Sequence, residues 1–118
     1  MDKGHELLFY KDYFREFYSA QSEKVKRKIL LTWRLVEELD RIPEIYFKHL
    51  EGTDWLYEIR VQSGNNIFRI FCFFDGSNLI VVGHGFQKKT QKTPGREIER
   101  AERIKREYHE EKKLDNPQ

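Results

Sequence analysis

The apolar positions keep a helical period through the first third of the chain, change to a strand period in the middle and return to a helical one at the end. Glu6 to Tyr10 (Glu-Leu-Leu-Phe-Tyr) predicts a short opening strand. Tyr10, Phe14, Phe17 and Tyr18 follow at helical spacing and predict a short helix. Ser22 is a good N-cap for a second, longer helix. Its stripe is Val25, Ile29, Thr32, Trp33 and Val36, widened by Leu35 and Leu39, and Pro43 marks its end. Steps of three and four residues put this stripe on one side, where it would cover a sheet.

From Trp55 the period is two. Trp55, Tyr57, Ile59 and Val61 face one way; Leu56, Glu58, Arg60 and Gln62 face the other. Ser63-Gly64-Asn65-Asn66 reads as a hairpin turn. Ile67 to Phe74 is apolar on nearly every residue, so it is expected to be a central strand covered on both faces. Asp75-Gly76-Ser77-Asn78 is a second turn, and Leu79 to Phe86 a third strand of the same meander. Thr93-Pro94 opens a last helix with the narrow stripe Ile98, Ala101, Ile104 and Tyr108, expected to dock loosely. A frayed tail is expected from about residue 112. The order is β-α-α-β-β-β-α: an α+β domain over 1–118, with a helical hairpin packed on an antiparallel sheet.

The 118 residues suffice for one modest core. With 14% aromatic residues the composition is not that of a disordered chain. Cys72 is the one cysteine, so no intrachain disulfide can form, and it suits a reducing compartment. The N-terminus, Met-Asp-Lys-Gly-His-Glu, precedes no long apolar stretch. No signal peptide, transmembrane helix or membrane partner is expected, and the expected location is cytoplasmic. Net charge is only +2, but Lys88, Lys89 and Lys92 cluster without an acid between them, as do Lys24, Lys26, Arg27 and Lys28. Such clusters attract phosphates; the second reads more simply as a solvated helix face.

The hairpins fix a register. A loop of two or four residues at 63–66 places Arg60 opposite Arg69, and the same choice at 75–78 places Arg69 opposite His84. Arg60, Arg69 and His84 would then form one row across three strands. With Asp75-Gly76 as the turn pair, His84 would move two residues along and keep its face. Two opposed arginines repel, and one of them sits in an apolar central strand. A bound polyanion would reverse the sign of that cost; alternatively, Glu58 on the same face could neutralise one arginine. Phe86 could stack on a base, and Lys88 and Lys89 leave the strand at the same end. Guanidiniums pair with two phosphate oxygens at once.

His84 has the right ordinary pKa for proton transfer, and Lys88 or Lys89 could serve if neighbouring positive charge lowered theirs. His5, His49, His84 and His109 show no paired ligand spacing and no carboxylates cluster near the row, so no metal or other cofactor is expected. RNA can be cut without one: its 2′-OH attacks the adjacent phosphate, leaving a cyclic phosphate and a free 5′-OH.

Leu56-Tyr57-Glu58-Ile59-Arg60, Ile67-Phe68-Arg69-Ile70-Phe71 and above all His84-Gly85-Phe86-Gln87-Lys88-Lys89-Thr90-Gln91-Lys92-Thr93-Pro94 resemble the phage-derived Gp49-like branch of HigB toxins, within the RelE/ParE superfamily. The resemblance runs from the second helix to the last. It implies a RelE-like, microbial-ribonuclease-like fold with helices on one face of an antiparallel sheet. It implies cleavage of mRNA in the ribosomal A site, contact with ribosomal RNA, and a helix-turn-helix antitoxin partner. It maps catalysis to Arg60, Arg69, His84, Lys88 and Lys89, with Lys48 a weaker candidate; Phe86 and Lys92, read from the pattern of the residues, are expected together with Lys48 to contact RNA. The late tyrosine of some relatives is absent; Phe86 stands in that region. Two other readings are a gyrase inhibitor of the ParE type, which needs no basic row, and an RNA-binding module without cleavage.

Overall fold

The computed structural model describes residues 4–115. The α+β class is as expected: three helices pack on a five-stranded sheet. The elements are β1 (Glu6–Phe9), α1 (Tyr13–Ser19), α2 (Glu23–Glu38), β2 (Phe47–His49), β3 (Tyr57–Ser63), β4 (Asn66–Asp75), β5 (Leu79–Lys88) and α3 (Gly95–Asp115). The sheet order is β1-β5-β4-β3-β2, so the apolar strand β4 is central, as its pattern predicts.

Three expectations about the sheet and its cover need correction. The sheet is mixed, because β1 pairs with β5 in parallel. It also has a fifth strand: three residues of β2 pair with β3, too short a stretch to show a period. The helices cover both faces. Phe14 of α1 and Val25, Ile29, Trp33 and Val36 of α2 pack on Ile59, Val61, Phe68 and Ile70. On the other face, Ala101, Ile104 and Tyr108 of α3 pack on Leu56, Phe71, Phe73 and Val81. Ser22 caps α2 as expected, its hydroxyl accepting from Val25 N–H at 3.3 Å.

α3 is not loosely docked. The Tyr108 hydroxyl donates to Asp75 at 2.6 Å and Lys112 pairs with the same carboxylate at 2.7 Å. Glu107 accepts from Tyr13 and Lys11, each at 2.7 Å. Helix persists through Asp115, so the expected fraying from about residue 112 does not begin there. The rest of the expected tail, 116–118, and the polar start, 1–3, lie outside the described residues. Among the described residues no helix is long and apolar enough to cross a membrane.

One irregularity decides which side chains reach the site. Asp75 pairs with Leu79, which leaves a three-residue loop where two or four residues were expected. One extra residue turns every following side chain to the opposite face. A bulge undoes this: the register shifts between Ile70 and Cys72, so that Gly83 and His84 together oppose Phe71. Beyond it Arg69 pairs with Phe86 and Ile67 with Lys88. Directly paired residues share a face, so Phe86 and Lys88 lie on the face of Arg69. Gly85 then points at α1, where a Cβ would come within 2.7 Å of the Phe17 ring.

Gly85→Ala is therefore expected to destabilise the fold by about 1–3 kcal/mol through overpacking. Urea denaturation measures it, and Phe17→Leu in the same chain should recover part of the loss.

Candidate nucleic-acid site

The site lies on the α3 face of the sheet, beyond the strand segments that the helix covers. Arg60 on β3 pairs with Arg69 on β4, as the hairpin register predicts. Lys48 on β2 pairs with Glu58 on β3. Lys48, Glu58, Arg60, Arg69, Phe86 and Lys88 therefore share one face.

Burying two opposed guanidiniums in a sheet requires a counter-charge. Glu58 supplies it and is itself buried, at 3% exposure. Its Oε2 lies 3.3 Å from Arg60 Nε and 3.5 Å from Arg69 Nε. The alternative considered for Glu58 thus holds more broadly than expected, since one carboxylate serves both arginines. The service is incomplete. Neither Nε is hydrogen-bonded, and Glu58 Oε1 is buried without a partner. Arg69 Nη1 donates to the Phe68 carbonyl at 3.1 Å and Arg60 Nη1 to the Glu44 carbonyl at 3.4 Å. Burial lowers the Arg69 pKa from its ordinary value; Glu58 opposes this and Arg60 adds to it.

Arg69 stands in the walls of two openings. One, of about 390 Å³, is lined by Lys28, Ile45, Tyr46, Arg60, Gln62 and Arg69. The other, of about 750 Å³, includes Asn66, Ile67, Arg69, Gln87, Lys88 and Lys89. Lys88 is diagonal to Arg69 across the β4–β5 pair. Burial lowers its pKa from the ordinary lysine value, reinforced by Arg69, Arg60 and Lys48 and opposed by Glu58. Sequence reasoning anticipated neighbouring charge as the cause and missed burial, the larger one.

The other expected site residues are placed as follows. Lys89 is exposed in the wall of the larger opening. Lys48 is exposed on the edge strand, and Lys92 is exposed in the turn before α3. Phe86 is half-buried, one ring face stacked on Phe71 at 5.6 Å. His84 does not stand opposite Arg69; the longer loop and the bulge carry it two residues along, on the same face, to oppose Phe71. There it is 1% exposed beneath α3, with Nε2 2.9 Å from Glu97 Oε1 and Nδ1 buried without a partner. The row is thus Arg60–Arg69–Phe86, with His84 one rank behind. Among the described residues no group of three or more His, Cys, Asp or Glu is placed to share a metal ion.

The arrangement can bind a phosphodiester through two guanidiniums and an ammonium, and can move a proton at Lys88. The family model for phage-derived Gp49-like proteins matches residues 16–106, a span that holds every one of these groups. No curated protein matches the chain.

Burial lowers the His84 pKa; the Glu97 carboxylate opposes this, while Arg100 and Arg103 reinforce it. The unfolded chain then binds a proton that the folded chain withholds. Stability from this site is full above histidine's ordinary 6.5 and is lost as pH falls through the lowered folded value. Replacing His84 by Gln should flatten that part of the stability–pH curve, measured by urea midpoints between neutral and mildly acidic pH; an unchanged slope would contradict the assignment.

Proposed function

The chain belongs to the phage-derived Gp49-like family, a toxin family of the toxin–antitoxin type, and from that premise we propose that it is a HigB-type endoribonuclease that cuts mRNA in the ribosomal A site. Membership implies an antitoxin partner; that this is a helix-turn-helix protein is part of the proposal. The observation that carries the reading is the opposed pair Arg60 and Arg69, half-neutralised by one buried carboxylate, both lining one cleft and Arg69 a second.

A phosphate entering between the guanidiniums supplies the second negative charge that one buried carboxylate, shared by both Nε groups, does not. In the transition state charge builds on the non-bridging oxygens, where forked donors act most strongly. The 2′-oxygen bonds to phosphorus and loses its proton, the 5′-oxygen departs and gains one, and a 2′,3′-cyclic phosphate and a 5′-hydroxyl remain. Lys88, with its pKa lowered, holds the neutral form at lower pH than a solvated lysine does, and we assign the proton transfer to it. His84 becomes a positioning residue that fixes the bulge beneath α3. The free edge of Phe86 offers base contact, Lys48, Lys89 and Lys92 offer outlying positive charge, and ribosomal RNA orients the message.

His84's burial favours one second reading, RNA binding without cleavage, because it withdraws the side chain best suited to proton transfer. Mapping 5′ ends on a defined message in translating ribosomes separates the two. Cuts at A-site codons, lost in Arg69→Ala by a factor of about 10² or more, are expected. Intact message with salt-sensitive binding would establish the second reading instead.

A pH series tests the proton transfer. Cleavage should rise with pH as Lys88 loses its proton. Lys88→Arg, which keeps its charge throughout, should lose both the rate and that rising limb; a limb retained in the variant would remove Lys88 from the step.

A further inference from the structure

The phosphate site leaves a second cationic surface unused. Lys24, Arg27 and Lys28 are exposed on α2, and none forms an ion pair among the described residues. The one ion pair shown within the helix joins Lys26 to Glu23, at 3.7 Å. Lys24 lies three residues before Arg27 and four before Lys28, so the three cations stand on one side of the helix, about 5–6 Å apart at Cβ. Like charges at these spacings repel, and the positive end of the helix dipole adds to the cost. Nothing among the described residues repays this. Lys28 lines the same cleft as Arg60 and Arg69, which opens past Val61 and Gln62 of β3, so that cleft joins the first turns of α2 to the phosphate site. At its inner end the Arg69 side chain is 9% exposed and its Nε lacks a hydrogen-bond acceptor.

We infer that Lys24, Arg27 and Lys28 form a backbone track for the RNA strand flanking the cleavage point. Successive phosphates leave the Arg60–Arg69 site past Lys28 and lie along the first turns of α2. The inference rests on the phosphate reading of the arginine pair and adds the path of the strand on one side of it. A backbone track carries no base information, so it raises affinity alike for every sequence. It also makes affinity depend on substrate length.

The test uses the full chain at low ionic strength with uncleavable 2′-deoxy oligonucleotides, a trinucleotide and a decanucleotide. The wild type should bind the longer strand roughly tenfold more tightly, with a steeper salt dependence. Lys24→Gln with Arg27→Gln should abolish most of that gain and lower the salt slope by about 1.4, two phosphates at about 0.7 each, while trinucleotide affinity stays within a factor of two. Arg106→Gln with Lys113→Gln removes the same charge from exposed positions on α3 and should keep the gain. An equal loss in both double variants would reduce the effect to net charge and overturn the track. So would a gain undiminished in the α2 variant, or none in the wild type. Stronger competition by an oligoglutamate peptide than by the decanucleotide would reassign the surface to a protein partner. Arg69→Ala keeps the two readings apart. Unchanged trinucleotide binding there would defeat the phosphate site, whereas loss there with an undiminished length gain in the α2 variant would defeat the track alone.

Discussion

A charged side chain in the middle of a strand covered on both faces is the constraint around which this molecule is arranged. Arg69 sits in β4, the central strand, at the end of the layer that α3 covers and over the layer that α2 covers on the other face. It can stay there because Glu58 reaches it from the neighbouring strand and because α3 leaves this end of the face uncovered. Each neighbour then follows. Arg60 shares the carboxylate, Lys88 feels both guanidiniums, and the apolar side chains of α3 begin only where the charges end. A buried ion pair adds little net stability, whereas losing one partner costs several kcal/mol. Glu58 is thus held by the cost of its absence more than by what the pair contributes.

The strongest patterns were fully legible in the sequence. The five buried positions of α2 are those its stripe predicts, because a long amphipathic helix repeats its signal several times. Arg60 and Arg69 paired as the hairpin requires, because a two- or four-residue loop gives the same register either way. The parallel strand β1 was visible as a strand but not as a parallel one, since four residues carry no information about their partner. β2 was invisible for a similar reason. Its three residues are defined by hydrogen bonds to β3, and no composition marks them.

His84 failed as a row member for a more instructive reason. A loop of three residues, where two or four were expected, and a bulge one residue deep each displace the register by a single step. Either alone would have turned Phe86 and Lys88 away from the arginines; together they restore the face and move only the rank. Parity was therefore readable and position was not. The hint lay in Gly83 and Gly85, small residues on either side of His84: Gly83 belongs to the bulge, and a side chain at Gly85 would meet Phe17. The burial that lowers the Lys88 pKa, and the clamps that hold α3, came only with the tertiary structure.

The parallel pairing of β1 with β5 has a bearing on how the protein is made. Residues 6–9 lie beside residues 79–82, so the first strand to be synthesised has no partner until the last strand exists. At roughly 5–20 residues per second it waits several seconds. α3, which holds His84 through Glu97, comes later still. A partial chain therefore carries Arg60, and then Arg69, without the strand that brings Lys88 to them. A nascent copy is unfinished at its basic face until β5 has been made and α3 has closed over His84.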